Sequence, residues 1–513
     1  MSTKNLLSTI AVHYFGFTLA VDYSIVLVSI QELWYSLGGS SAYFGFMFGS
    51  YALAQAIISP LLGYISDLRG LKFAVMLSLI VNVMGNVLYG LSVVSQSLNM
   101  MFFGRFIAGL SAGSVTLALV YLTNTTPRET RGKSVASFKL AQAVGLLGGP
   151  ILGMFLVPLL ASRKDIATTL NGSTSDKVFN MFTAPAWLAS ANVVLIMLPL
   201  IKFCFKNPLA PHMAMKFNCR EAKRLISHTA VLMLSVFLGT ACFWGIMSDL
   251  FTLAFGQYGL ISGQRDLWKV YISGGIALVL VGVLIRVAIH RKFSPAMFSI
   301  LGLIFNVWGF VFLLDYRIKD DRLRNGFYFG AVALSTSGAA SFFTGIGVYY
   351  SQKITDFSDQ ARNRRGVFLG FFNFADALGR FAGPALVPLF LHLTNKGGKQ
   401  CESVNFDQSN CEVINVNAVL AGLCGILFVN LLVFIYYHVL HGKRRTDGFL
   451  LTNTDLPGRL TFREDVDDLR EVDGEQDDPD RTQMELSPPQ IHRTSSHASS
   501  SHASSRDGSI HTI

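Results

Sequence analysis

The chain is 513 residues long, 51% hydrophobic and 14% charged, against roughly 25% charged residues in soluble proteins, and its mean hydropathy is +0.44. That composition excludes a soluble enzyme, a collagen-like chain and a wholly disordered protein, and six Cys are too few for a disulfide-stapled miniprotein; a polytopic membrane protein is left. The net charge of +10 does not indicate a nucleic-acid partner: residues 441–513 hold 9 Lys+Arg and 14 Asp+Glu, leaving 33 and 18 in residues 1–440, spread over short loops.

Twelve mostly apolar stretches reach the roughly 20 residues that a bilayer span needs. They are centred near 10–31, 42–66, 72–95, 100–122, 134–158, 184–205, 228–256, 268–289, 296–315, 326–350, 366–391 and 416–440. The two-residue alternation of barrel strands is absent. Predicted domains are a six-helix bundle over 1–205, a cytosolic linker over 206–227, a second bundle over 228–440 and a disordered cytosolic tail over 441–513, too polar and Ser/His-rich to bury a core. Basic residues mark the cytosolic loops: Arg69 and Lys72; Arg128, Arg131 and Lys133; Lys202 to Arg224; Arg291 and Lys292; Lys353 to Arg365; Lys443 to Arg445. Both termini are then cytosolic.

Along the chain, each charge inside a span asks for a reason, since it costs at least roughly 2.5–3.5 kcal/mol to insert. Asp22 lies in span one and Gln55 in span two; Arg105 stands near the start of span four and Lys139 in span five; Asn373, Asp376 and Arg380 share span eleven. These seven are the candidate transport-pathway residues. Asp376 and Arg380, four apart, can also neutralise each other, Lys139 can reach the cytosol along its own stem, and Arg105 can serve as a tie between spans. Asp22, protonated in an acidic lumen, would couple proton movement to transport.

The lumenal loops carry the glycosylation sequon at Asn171 and, after span eleven, Cys401 and Cys411, a possible disulfide; the other four cysteines read as packing residues. The tail begins with Asp447, Leu450 and Leu451 in the acidic-dileucine form that sorting adaptors read. No G-x-S-x-G, H-E-x-x-H or Walker spacing occurs, so no enzyme, cofactor or metal is expected.

An internal repeat has an offset of 234 residues. Arg128, Arg131, Gly132, Phe138, Ala141, Ala143, Gly145, Gly149 and Pro150 recur as Arg362, Arg365, Gly366, Phe372, Ala375, Ala377, Gly379, Gly383 and Pro384. Small residues at i, i+4 let helix backbones approach, and the prolines bend the spans. With two parallel six-span halves, the chain resembles the major facilitator superfamily. Gly63, Asp67, Arg69, Gly70 and Lys72 resemble its loop motif between spans two and three, with the Arg displaced and Leu71 after the Gly. Arg105-x3-Gly109-x3-Gly113 and Gly145-x3-Gly149-Pro150 resemble its span-four and span-five motifs.

A narrower resemblance, over roughly 10–440, rests on Ser50 to Gln55, Ser59-Pro60, Gln142-Ala143-x-Gly145, Asn180-Met181-x-Thr183-x-Pro185, Tyr350-Ser351, Gly366-Val367 and Gly379-Arg380-x-x-Gly383-Pro384. These residues resemble the lysosomal branch of domain-containing protein eight, whose loss causes a neuronal ceroid lipofuscinosis. The resemblance implies an all-α fold of twelve transmembrane helices in two pseudo-symmetric bundles. It also implies a lysosomal or late-endosomal address and movement of a small anion such as chloride, by channel or carrier. Asp67, at the cytosolic end of span two, can hold basic or helix-terminal groups of the opposite half and so latch the outward-open state. Two other classes stay open: a proton-coupled transporter of an organic solute, and a non-transporting receptor or scaffold.

Overall fold

The computed structural model describes residues 3–156, 159, 169, 172–205, 219–252, 267–291, 293–314, 320–357, 365–394 and 416–452. Asn171, Cys401, Cys411 and Arg362 lie outside them. Among the described residues the elements are all helical, as backbone groups in lipid require internal partners. In chain order they are α1 (Thr3–Ile25), α2 (Ser41–Arg69), α3 (Leu71–Gly90), α4 (Leu98–Ala112, resuming as Val115–Thr125), α5 (Arg128–Ile151), α6 (Ala184–Asn192, continuing to Cys204), α7 (Cys219–Thr252), α8 (Leu267–His290), α9 (Pro295–Phe312), α10 (Asp321–Phe357), α11 (Arg365–Thr394) and α12 (Val416–Thr452).

Eleven of the twelve are, over their described residues, long and apolar enough to cross a membrane. α11 carries Asn373, Asp376 and Arg380 within its apolar run. Its 30 residues extend about 45 Å at 1.5 Å per residue, and it packs along α2 and α7 as the other spans do. The polar residues that lower its hydropathy face neighbouring helices, not lipid.

The 234-residue repeat has a direct structural expression. In α5, a Cβ at Gly145 would lie 2.4 Å from the Phe17 carbonyl oxygen of α1, and one at Gly149 would meet Ser24 Oγ at 2.0 Å. In α11, a Cβ at Gly379 would lie 2.6 Å from the Phe237 carbonyl oxygen of α7, and one at Gly383 2.2 Å from that of Ala241. The repeated glycines seat the fifth helix of each half on the first helix of that half. Pro150 and Pro384 sit inside these two helices, and after Pro150 the chain turns π-helical at Leu152–Leu156.

Two elements differ from the sequence reading. α7 begins at Cys219, inside the expected linker, and α12 runs on to Thr452, so Asp447, Leu450 and Leu451 belong to its last turns. Residues 453–513 are outside the described set.

The halves meet along α2 with α11 and along α5 with α8. The α2–α11 approach is backbone to backbone: a Cβ at Gly45 would lie 2.0 Å from the Pro384 carbonyl oxygen, and one at Gly63 2.2 Å from that of Gly366. The loop motif closes one end of this seam. Gly70 has φ +91 and is the single residue between α2 and α3, a left-handed position where a side chain would be strained. Arg69 stacks on Phe73 at 5.7 Å. Lys72 Nζ donates to the Lys202 carbonyl at 2.6 Å, satisfying an orphan acceptor in the last turn of α6. The Asp67 carboxylate lies against Gly366, where a Cβ would be 2.7 Å from Oδ1; there it faces the first turn of α11, whose free N–H groups favour a negative charge.

Candidate functional site

A cavity of about 290 Å³ opens between the halves, lined from α1, α2, α4, α5, α7, α8, α10 and α11. Its charged lining residues are Lys139, Asp376 and Arg380. Arg380 Nη2 donates to Asp376 Oδ2 at 2.9 Å, the side chains being 17% and 20% exposed. Thr240 Oγ1 of α7 donates to Asp376 Oδ1 at 3.1 Å. The pair is therefore neutral, and Arg380 Nε is buried without a hydrogen-bond partner among the described residues. Lys139 faces the pair from α5, within coulombic reach of both members, and forms no ion pair among the described residues. Protonated, Lys139 gives the cavity one positive charge with no ion-pair partner among the described residues.

Aromatic rings make much of the wall. Tyr23 packs edge-on against Trp244 at 5.5 Å and tilts onto Tyr51 at 5.0 Å. Phe243 meets Trp244 at 5.7 Å and Phe343 at 6.0 Å. Tyr271, Gln55, Gln142, Thr336 and Thr344 add polar edges.

Asp22 and Arg105, expected on the pathway, lie behind this wall. Asp22 is buried and accepts from two amides of α3, Asn82 Nδ2 at 2.7 Å and Asn86 Nδ2 at 2.9 Å. Asn82 also donates to Ser111 Oγ of α4 at 2.8 Å, and Asn86 to Asn82 Oδ1 at 3.0 Å. These bonds tie α1, α3 and α4 into a polar core within the first half. Arg105 is 2% exposed; its guanidinium sits 4.8 Å from the Tyr51 ring centroid and donates to the Tyr23 carbonyl at 3.4 Å. It supports the two tyrosines that face the cavity.

Asn373 is one turn from Asp376 towards the loop-motif end. Its Nδ2 donates to Thr116 Oγ1 of α4 at 2.8 Å, both side chains being buried. This bond crosses between the halves directly beneath the cavity. Further towards the same end, Gly132 of α5 packs against Ile289 of α8 and Val348 of α10. The cavity is thus closed at the loop-motif end, while its lining extends the other way to Ile30, Gln31 and Phe44.

Of the seven pathway residues expected from sequence, Gln55, Lys139, Asp376 and Arg380 line the cavity, Asn373 closes its floor, and Asp22 and Arg105 build the wall behind it. Sequence reasoning missed Tyr23, Trp244, Tyr271 and Thr116; aromatic and hydroxyl residues are too common in membrane helices for any one to stand out, and only the packing assembles them. Asn82 and Asn86, four apart in an otherwise apolar span, were a visible polar stripe.

Residues 11–384 match the family described as Major Facilitator Superfamily. The chain belongs to the Major Facilitator Superfamily. It is a multi-pass membrane protein with the all-helical fold of that superfamily. Among curated relatives it is 28% identical over 188 residues to a Xenopus laevis protein named major facilitator superfamily domain-containing protein 8, covering 35% of this chain and 36% of the relative. It is 33% identical over 113 residues to the class B tetracycline resistance protein of Escherichia coli, covering 22% of this chain and 27% of that one. The aligned segments thus span about a third of these relatives. Two solved superfamily structures superpose over most of the chain. The human organic anion transporter MFSD10 gives a TM-score of 0.58 at 17% identity, covering 85% of this chain and 100% of its own. The E. coli fucose:proton symporter gives 0.61 at 12%, covering 84% and 98%. The expected narrower resemblance to the domain-containing protein eight group agrees with the first of these relatives.

Proposed function

We propose that this protein is a transporter that moves a small anion across an endolysosomal membrane by alternating access, as a carrier with its cavity between two rocking halves. The observation that carries the reading is Lys139, a basic side chain with no ion-pair partner among the described residues, on the wall of a cavity whose other charges, Asp376 and Arg380, pair with each other. An ammonium out of bulk water is held at a cost unless an anion joins it, so an anion entering here replaces solvent that Lys139 would otherwise require. The closed end carries Arg69, Lys72 and Arg131, which the positive-inside rule places in the cytosol, with both termini on that side. The cavity then faces the lumen. Asp67 at the first turn of α11 and the Thr116–Asn373 bond hold that state, and a channel has no use for a floor latched in this way. The acidic-dileucine stretch and the similarity to domain-containing protein 8 support the lysosomal address; chloride is the smallest candidate cargo.

Thr116→Val tests the latch. Losing one buried neutral hydrogen bond costs about 1 kcal/mol, a shift of about fivefold towards the cytosol-open state at 1.4 kcal/mol per tenfold. Thiol labelling of a Thr344→Cys cavity probe from the cytosolic side is expected to speed up by that factor. Unchanged labelling, with the variant folded, removes the latch. For the transport reading itself, anion flux into proteoliposomes must saturate, fall in Lys139→Gln, and be accelerated by anion on the opposite side. Linear, non-exchanging flux would instead make the protein a channel.

A further inference from the structure

We propose that the cargo is a monovalent organic anion with a flat apolar body, not a halide; this rests on the transporter reading above. Charge sets the valence. Lys139 contributes one positive charge, and the Arg380–Asp376 pair at 2.9 Å contributes none. One negative charge neutralises the cavity, whereas a second would sit uncompensated in a low-dielectric interior and a cation would meet Lys139. The anionic head meets Lys139 Nζ on the cavity wall, and an ammonium carries three N–H donors for the oxygens of a carboxylate or sulfonate.

Volume and lining set the body. A cavity of about 290 Å³ is at the lower bound of small-molecule pockets, and a bare halide the size of one water, about 30 Å³ in the liquid, would leave roughly nine-tenths of it to solvent. The remaining wall offers ring edges and faces, not ion ligands: Trp244 standing edge-on to Tyr23 at 5.5 Å, Phe243 against Phe343 at 6.0 Å, and the Tyr51 ring, held in place by Arg105. Such walls favour a planar ring in offset or edge-to-face contact. The Tyr23, Gln55 and Thr344 edges accommodate a polar substituent. The head sits against α5 and α11, and the ring against α1 and α7. One ligand therefore touches both halves and can draw them together, which cargo must do in a rocking carrier.

The test uses full-length protein in proteoliposomes, with uptake of 1-naphthoate compared with that of phthalate, 1-naphthylmethylamine and chloride, and thermal shift of the purified protein as a binding readout. Naphthoate is expected to be taken up saturably and to stabilise the protein, with phthalate and the amine at least tenfold weaker. Lys139→Gln should lose about tenfold or more in naphthoate affinity, the scale of one charge-assisted contact. Lys139→Arg should retain it within a few-fold, and Trp244→Leu should raise the half-saturating concentration of naphthoate. Chloride flux that naphthoate neither inhibits nor accompanies overturns the proposal and leaves an anion transporter standing. Equal uptake of the dianion or the amine overturns it as well. If none of the four solutes binds or moves, the transporter reading fails with it.

Discussion

Gly63→Val is expected to open the cytosolic end of the protein. A Cβ at this position would lie 2.2 Å from the Gly366 carbonyl oxygen and 2.6 Å from its carbon, and both obstacles are backbone, so no rotamer relieves the clash. The helices α2 and α11 must part by more than an ångström to restore ordinary contact, and overpacking of this kind costs about 1–3 kcal/mol. Only the state in which these ends touch bears that cost, so the balance moves towards the cytosol-open state by roughly 5- to 150-fold. The same separation lifts Asp67 from the first turn of α11, adding to the shift. Gly45→Val strains the same state from the other end of the pair: its Cβ would lie 2.0 Å from the Pro384 carbonyl oxygen. Labelling of a Thr344→Cys cavity probe in inverted and right-side-out vesicles should therefore speed up from the cytosolic side and slow from the lumenal side in Gly63→Val. Gly330→Ala, where nothing lies within 4 Å of the added carbon, should leave both rates unchanged. If Gly63→Val labels like the parent from both sides, the close approach of α2 and α11 is not the closing contact.

The packing inside each half could be read in advance because its requirement is written residue by residue. Backbones that touch admit only glycine, and the repeat placed Gly145, Gly149, Gly379 and Gly383 at the same spacing in both halves. The loop motif was equally legible: Gly70 meets a backbone need, and Lys72 and Asp67 meet helix ends. Charges were located but not assigned. The sequence shows that Asp376 and Arg380 are one turn apart, and the ion pair follows from helix geometry. It does not show that Lys139, about three turns into α5, turns inward and not towards the cytosolic surface, because that depends on the rotation of α5 about its own axis against α1 and α8. For the same reason Asp22 was expected in the cavity. Helix rotation places it one wall further back, and its partners Asn82 and Asn86 come from a helix that does not line the cavity at all.

Asp22→Leu is expected to cost more stability than any other single change among the pathway residues, and to do so without touching the cavity. Asp22 accepts two buried amide hydrogen bonds, at 2.7 and 2.9 Å. Leucine leaves Asn82 and Asn86 with donors pointing at carbon, and each buried unsatisfied donor costs about 1–3 kcal/mol, for a loss of about 2–6 kcal/mol. Asp22→Asn keeps one acceptor and loses roughly half as much. The triple replacement Asp22→Leu, Asn82→Leu, Asn86→Leu removes the orphaned donors along with their acceptor, so it should melt closer to the parent than Asp22→Leu alone despite carrying more changes. Melting of detergent-solubilised protein measures all three. Transport per folded molecule separates the two roles open to this carboxylate. If the amide network is its purpose, Asp22→Asn transports in proportion to the folded fraction, with an unaltered dependence on the proton gradient. A fully folded Asp22→Asn that no longer responds to that gradient would return Asp22 to the pathway, reached through the Tyr23–Tyr51 wall and not from the open cavity.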